Sequence, residues 1–175
     1  MGRVNLVTMA IRVGVLTVSD KGSRGERVDT AGPAVADVIR SIGAEVVESI
    51  VLADERWEIV RQLKRWADEA KLNLILTTGG TGLSYRDVTP EATLEVAERL
   101  VPGMAEAMRQ LGRESTPLAS LSRSVVVTRG QTLIINLPGS EKGARESLQA
   151  ILNLIPHAMQ MLGDTPVEQH PVEKT

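Results

Sequence analysis

The feature that most constrains the fold is a short apolar run that ends in a glycine-rich loop and is followed by a strong helix start. Residues 72–77 are apolar and rich in strand-forming types, and they lead into Thr78-Gly-Gly-Thr-Gly82. Thr89 and Pro90 then supply the N-cap and first-turn residues that helices favour. Glycine lets a backbone approach a ligand closely, and successive N–H groups in such a loop can bind an anion. The segment predicts a strand, an anion-binding loop and a helix.

The same order of strand and helix recurs along most of the 175 residues. This alternation is typical of a fold in which helices cover both faces of a largely parallel sheet. We therefore predict an α/β, three-layer sandwich with a mostly parallel central sheet. It would occupy residues 11–163, between an extension (1–10) and a tail (164–175). The predicted strands are 11–18, 45–52, 72–77, 124–128 and 132–136, the last two as a hairpin. The predicted helices are 34–42, about 55–70, 89–100, 104–111 and 141–162, with a kink at Pro156.

Composition removes several classes of function. The chain has no cysteine and two histidines, which excludes disulfides, thiolate metal sites and cysteine nucleophiles and argues against a histidine-rich zinc site. A net charge of −2, with two tryptophans, one tyrosine and no phenylalanine, argues against nucleic-acid binding. No apolar run approaches the roughly 20 residues of a membrane span, and the first ten residues lack the pattern of a signal peptide. We expect a cytoplasmic protein.

Polar loops follow the predicted strands at several points. Ser19 and Asp20 follow the first strand, Asp54 the second and Thr78–Asp87 the third, and Pro138-Gly139-Ser140 precedes the last helix. Ligands of open α/β sheets bind outside the carboxyl ends of the strands, so these loops can share one rim. Carboxylates beside glycine loops suit Mg²⁺-assisted phosphate chemistry.

Two common phosphate motifs are absent. The first loop has Gly22 and Gly25 at the wrong spacing for a dinucleotide-binding G-x-G-x-x-G, and no lysine follows Gly79-Gly-Thr-Gly82 as a Walker A loop requires. The phosphate chemistry predicted here therefore needs another family.

Seven segments together resemble a known family. They are Leu16-Thr-Val-Ser-Asp20, Leu72-Asn-Leu-Ile-Leu-Thr-Thr-Gly-Gly-Thr-Gly82, Arg86-Asp-Val-Thr-Pro-Glu-Ala-Thr93, Pro102-Gly-Met104, Thr116-Pro-Leu118, Leu121-Ser-Arg123 and Thr132-Leu-Ile-Ile-Asn-Leu-Pro-Gly-Ser140. The chain resembles the molybdopterin-binding domain of molybdenum-cofactor synthesis, in the adenylyltransferase branch that includes the amino-terminal domain of gephyrin. The resemblance implies that the terminal phosphate of molybdopterin is adenylylated by ATP in the presence of Mg²⁺, with release of pyrophosphate. It also implies a homotrimer and a separate enzyme or domain that inserts molybdate.

The resemblance also implies site residues. Asp87 and Asp54 match the acidic positions assigned to catalysis and Mg²⁺, although Ala53 stands where relatives often have proline. The matched substrate-binding positions are Ser19, Asp20, Thr78, Gly79, Gly80, Thr81, Gly82, Arg86, Pro138, Gly139 and Ser140.

Each charged or capping residue of this set also has a structural interpretation. Asp87 and Asp20 can form turns, and Asp54 can cap a helix. Arg86 can bind phosphate or pair with a neighbouring carboxylate, and Ser140 can cap the last helix with or without a phosphate nearby. A second function also stays open, that of a non-catalytic molybdopterin carrier or assembly subunit, because a fold alone does not determine function.

Overall fold

A single six-stranded sheet organises the molecule. The computed structural model describes residues 10–163, and the predicted extension and tail lie outside them except for Ala10. The strands lie in the order β2-β1-β3-β6-β5-β4. The first four in this order are parallel, and β5 and β4 are antiparallel to their neighbours. The strands are β1 (Arg12–Val18), β2 (Glu45–Leu52), β3 (Leu74–Thr78), β4 (Arg99–Leu100), β5 (Val126–Arg129) and β6 (Thr132–Leu137).

Helices cover both faces of this sheet, which confirms the predicted three-layer α/β architecture. On one face, Val15, Leu74 and Leu76 pack with Met108 and Leu148 in one apolar core. On the other face, the alternate strand residues pack with a second set of helical side chains. The helices are α1 (Asp20–Ser23), α2 (Ala31–Arg40), α3 (Arg56–Lys64), α4 (Thr89–Val96), α5 (Pro102–Ser115), α6 (Glu141–Ile151) and α7 (Ile155–Leu162).

The two cores follow from the apolar runs in the strands. Every residue of β3 and β6 is buried, and both strands have helices above and below them. Continuous burial is expected for central strands of a sheet that helices cover on both sides. The outer strand β2 instead alternates between exposed and half-buried residues up to Ser49 and is half-buried from Ile50 to Leu52.

The middle of the chain differs from the sequence prediction. The helix predicted to reach residue 100 ends at Val96, because Ala97 is extended and the Glu98 amide bonds to the Thr128 carbonyl at 2.9 Å. The chain then forms the edge strand β4, which the sequence did not predict. α5 is longer than predicted and runs from Pro102 to Ser115.

The last helix is broken rather than merely kinked. A 3₁₀ segment, Leu152–Leu154, separates α6 from α7, and Pro156 lies in the first turn of α7. Proline lacks the N–H that a continuous helix would need there, so the break lies where the sequence predicts a kink. α3 also continues as a π-helical turn, Arg65–Glu69, in which Trp66 is fully buried.

The topology determines where a ligand can bind. The chain runs from β1 to β2 on one side and then returns to β3 on the other side of β1. Open α/β sheets bind ligands at such a switch point, beyond the carboxyl ends of the strands. The loops after β1, β2, β3 and β6 all leave this edge. No helix within residues 10–163 is long and apolar enough to cross a membrane.

Candidate active site

A glycine loop after β3 forms the centre of the site. Gly79 and Gly80 have φ angles of 97° and 63°, in the region that favours glycine. A Cβ on Gly79 would lie 2.3 Å from the Val18 carbonyl oxygen, and one on Gly80 would lie 2.3 Å from the Thr89 hydroxyl. That hydroxyl donates to the Gly79 carbonyl at 2.9 Å. The loop is therefore packed against both β1 and α4, and its conformation and its space both require glycine.

Two clefts flank this loop. The first, the carboxylate cleft, has a volume of about 400 Å³. It contains both of the aspartates that the sequence assigns to catalysis. Its lining residues are Thr17, Val18, Ser19, Gly22, Arg27, Val28, Asp29, Thr30, Ala31, Asp54, Thr78, Gly79, Gly80, Asp87, Gly139 and Ser140.

The second cleft, the apolar cleft, has a volume of about 270 Å³ and lies on the other side of the loop. Its walls combine apolar side chains and hydroxyls with two charged side chains, Arg109 and Glu146. Its lining residues are Thr81, Gly82, Met108, Arg109, Gly112, Thr116, Leu118, Ala119, Leu121, Ser122, Ser124, Pro138, Ser140, Gly143, Glu146 and Ser147.

Asp20 and Asp54 hold the loops after β1 and β2 together. The Asp20 amide donates to Asp54 Oδ2 at 2.8 Å, and the Asp54 amide donates to Asp20 Oδ1 at 3.0 Å. Asp54 does not cap α3, which begins at Arg56 with Glu55 in the capping position. The helix-cap interpretation of Asp54 is therefore wrong, and its carboxylate instead joins two loops at the edge of the carboxylate cleft.

Arg86 pairs with carboxylates, which was one of its two sequence interpretations. Its guanidinium donates to both oxygens of Asp20, at 3.1 and 2.9 Å, and to Glu55 Oε1 at 2.9 Å. These bonds raise the pKa of Arg86, with Asp20 contributing most. Asp20 and Arg86 are the two predicted site residues that line neither cleft. Their observed contacts hold the surrounding loops.

The pKa values of the paired aspartates, Asp20 and Asp54, are shifted in opposite directions. The pKa of Asp20 is lowered, chiefly by the hydrogen bonds from the Arg86 side chain and then by that from the Asp54 amide. The pKa of Asp54 is raised, chiefly because burial disfavours its charge, although the Asp20 amide opposes this. The charges of Asp20 and Asp87 raise the pKa of Asp54 further. A cation beside Asp54 would stabilise its charged form and so oppose both the burial and the repulsion from Asp20 and Asp87.

Asp87 closes a turn and also lines the carboxylate cleft. Its Oδ2 accepts the Ser84 amide at 2.8 Å, while its own amide donates to the Ser84 carbonyl at 3.0 Å. The predicted turn role is confirmed, and it leaves the carboxylate in the same cleft as Asp54.

The donor set fits Mg²⁺. Within residues 10–163, no group of three or more His, Cys, Asp or Glu side chains is arranged to hold a metal ion. Two carboxylates that repel one another in a half-buried cleft do match the usual Mg²⁺ site, in which water and substrate phosphates complete the coordination. Asp54 and Asp87 are the residues that would hold it.

The loop before α6 reaches both clefts. Ser140 caps α6, because its Oγ accepts the Gly143 amide at 3.1 Å. The Thr78 hydroxyl donates to the Pro138 carbonyl at 2.6 Å and joins this loop to the glycine loop. Ser140 lines both clefts.

The structure adds residues that the sequence did not assign. Arg27, Asp29 and Thr17 line the carboxylate cleft. Asp29 accepts the Thr17 hydroxyl at 2.7 Å and the Gly32 amide at 3.0 Å, so it holds the start of α2 against β1. An aspartate shortly before a helix is a recognisable capping signal. Glu55 and Arg123, which also contact the site loops, have no such local signal.

Comparisons with known proteins identify the family of the chain. Residues 14–157 match the family model described as "Probable molybdopterin binding domain". The chain is 40% identical to a molybdopterin adenylyltransferase of Helicobacter pylori over 87% of this chain and 88% of that protein. It is 38% identical to the molybdopterin adenylyltransferase of Escherichia coli, over 92% and 90% respectively. These names agree with the enzyme class that the sequence predicts.

A longer relative and a solved structure extend the match. The chain is 42% identical to the molybdenum cofactor synthesis protein cinnamon of Drosophila melanogaster, of which it spans 26%. It superimposes on the molybdopterin biosynthesis enzyme MoaB from Thermus thermophilus with a TM-score of 0.84 and 54% identity, covering 89% of this chain and 98% of that one. The family predicted from the sequence is confirmed: this chain belongs to the molybdopterin-binding-domain family of molybdenum-cofactor synthesis.

Proposed function

We propose that this protein catalyses the Mg²⁺-dependent adenylylation of molybdopterin by ATP. An oxygen of the terminal phosphate of molybdopterin forms a bond to the α-phosphorus of ATP, and the bond from that phosphorus to the oxygen bridging to the β-phosphate breaks. The products are adenylyl-molybdopterin and pyrophosphate. The observation that carries the proposal is that Asp54 and Asp87 lie in one cleft with the Gly79–Gly80 backbone.

The chain's residues supply positioning and charge. Asp54 and Asp87 would hold Mg²⁺, and the Gly79–Gly80 segment would bring its backbone close to the phosphates. When bound, Mg²⁺ neutralises phosphate charge so that two anionic reactants can approach. A general base is unnecessary, because a phosphate monoester is already anionic near neutral pH. Catalysis therefore comes from orientation and electrostatic stabilisation.

The two clefts suggest where each substrate binds. The carboxylate cleft suits the triphosphate with its metal. The apolar cleft suits the flat heterocycle of molybdopterin, because Leu118 and Leu121 offer exposed apolar surface and Ser122 offers a hydroxyl. The Gly79–Gly82 loop lies between the clefts, which is where the two reacting phosphates would meet.

The surroundings of the site support the remaining parts of the proposal. We infer that the protein acts in the cytoplasm as a homotrimer and passes its product to a molybdate-insertion enzyme. Support for the assembly comes from the family resemblance and from exposed apolar side chains of the loop after the glycines, Leu83 and Tyr85, which a second subunit could cover. Light scattering on the purified protein measures its oligomeric state directly.

The function is tested by incubating the protein with molybdopterin, ATP and Mg²⁺ and measuring pyrophosphate. We expect release that depends on all three components. A folded protein that binds molybdopterin but releases no pyrophosphate would instead be the carrier that the sequence left open.

A further inference from the structure

Arg123 contacts the site loop at more points than any simple surface ion pair would need. Its amide donates to the Thr81 carbonyl at 3.0 Å. Its Nε donates to the Gly82 carbonyl at 2.7 Å, and one Nη donates to the Asp87 carbonyl at 2.6 Å. The other Nη pairs with Glu91, in the first turn of α4. One guanidinium therefore holds two loop carbonyls and one helix.

The two carbonyls bracket the part of the loop that carries Asp87. Gly82 precedes Leu83–Arg86 and Asp87 follows it, so Arg123 fixes both ends of this segment. Leu83 is 68% exposed and Tyr85 is 91% exposed, which means that these side chains contribute little packing of their own. Hydrogen bonds from Arg123 hold the two ends of the segment, and the Ser84–Asp87 turn and the Arg86 ion pairs with Asp20 and Glu55 hold its interior.

The backbone next to Arg123 is itself anchored to a helix. The carbonyl of Ser124 accepts from Arg109 Nη1 at 2.9 Å, which anchors the chain beside Arg123 to α5. Ser122 and Ser124 line the apolar cleft, whereas Asp87 lines the carboxylate cleft. Arg123 lines neither cleft. It therefore acts through the loop rather than on a substrate.

We propose that Arg123 is a positioning residue that fixes Gly82 and Asp87 from behind, so that the Asp87 carboxylate has one orientation toward the metal. This inference rests on the proposed function. Lysine cannot replace arginine here, because its single ammonium cannot reach two carbonyls and a carboxylate in a fixed fork.

A merely structural role is separated by a matched control. Arg129 makes a comparable fork at the far side of the sheet, with both Asp68 oxygens at 2.8 and 2.7 Å and the Val96 carbonyl at 3.1 Å. It lines neither cleft. Arg129→Lys therefore removes similar hydrogen bonds without touching the site loops.

The test compares Arg123→Lys with Arg129→Lys in the full-length protein. Mn²⁺ binding is measured by electron paramagnetic resonance in the presence of AMP, alongside kcat and the KM for molybdopterin, each corrected for the folded fraction. We expect Arg123→Lys to weaken Mn²⁺ binding by about 10-fold and to lower kcat by about 10- to 100-fold. The KM for molybdopterin should stay within about threefold, and Arg129→Lys should leave all three quantities within about twofold.

Any one of three results would overturn the proposal. The first is unchanged Mn²⁺ affinity in Arg123→Lys, and the second is an equal loss in both variants. The third is absence of Mn²⁺ binding in the unsubstituted protein. Failure of the adenylylation reaction is seen separately, as wild-type protein that binds Mn²⁺ and releases no pyrophosphate, because the Mn²⁺ comparison needs no turnover.

Discussion

The carboxylate cleft and the apolar cleft share one glycine loop but differ in what their walls offer. One presents Asp54, Asp87 and Asp29 with Arg27. The other presents apolar side chains of the 3₁₀ segment Pro117–Leu121 and hydroxyls, with only Arg109 and Glu146 as charged residues in its lining. A charged cleft stabilises charge at the cost of internal repulsion, whereas an apolar cleft recognises shape. Molybdopterin binding and charge neutralisation therefore depend on separate walls, which substitutions can alter separately.

Removing a carboxylate should distinguish the functions of the two clefts most strongly. We expect Asp87→Asn to lower turnover by at least about 100-fold, because the metal loses a ligand while the amide oxygen keeps the Ser84 hydrogen bond. Molybdopterin affinity should stay within about threefold when it is measured by fluorescence titration. Asp37→Asn, at an exposed position on α2, is the control and should change neither quantity. Equal losses of turnover and affinity would show that the clefts do not divide the work.

A side chain in the shared loop should damage both clefts at once. Gly80→Ala meets a positive φ and the Thr89 hydroxyl, whereas Gly130→Ala meets a positive φ of 53° in open space. Left-handed backbone costs an alanine roughly 1–2 kcal/mol. We expect urea denaturation to show that loss in Gly130→Ala and a larger one in Gly80→Ala, with turnover reduced only in the latter. Equal destabilisation would mean that the loop has room that its contacts do not suggest.

Asp54→Asn should lower turnover but raise the stability of the metal-free protein. Because the folded-state pKa of Asp54 is raised, folding becomes less favourable as pH rises from the unfolded value near 3.8 through the folded value. Above that window the charge destabilises the metal-free protein, and asparagine removes it while keeping an acceptor for the Asp20 amide.

Urea denaturation at neutral pH without Mg²⁺ should therefore show a higher midpoint for Asp54→Asn than for the unsubstituted protein. The difference should shrink as pH falls through 3.8 and vanish well below it, where Asp54 is protonated in both the folded and the unfolded protein. Turnover should fall as in Asp87→Asn. A lower midpoint at neutral pH would show that the Asp54 charge is already compensated within the protein.

The apolar cleft should respond to smaller changes. Leu118 is 68% exposed and lines that cleft, so Leu118→Ala removes contact surface for a ligand but little packing. We expect the KM for molybdopterin to rise by roughly tenfold, in line with the burial of one aliphatic side chain, while kcat and the Mg²⁺ requirement stay unchanged. Leu154→Ala, 43% exposed and outside both clefts, is the control. A fall in kcat instead would place Leu118 closer to the chemistry.

Local chemistry explains which parts of this account the sequence could predict. The glycine loop, the Ser140 cap and the buried strands depend on residues close together in the chain, and each was recognised. The family resemblance then assigned Asp54 and Asp87, which the fold brings to one cleft.

Contacts between distant segments explain the rest. Arg86 reaches Asp20 across 66 positions, and Arg123 reaches Gly82 across 41. No local pattern shows that these pairs meet. The two-residue strand β4 was missed for the same reason, because its pairing with β5 depends on tertiary structure and not on its own propensity.

The proposed reaction requires Asp54 and Asp87 to hold one divalent ion beside the glycine loop. The most direct test is an anomalous-difference map from crystals soaked with Mn²⁺ and AMP. We predict one peak per chain within coordination distance of both carboxylates, with the AMP phosphate on the same ion. A fully occupied nucleotide with no peak there, or an ion bound away from both aspartates, would contradict the assignment of Asp54 and Asp87 as the metal ligands.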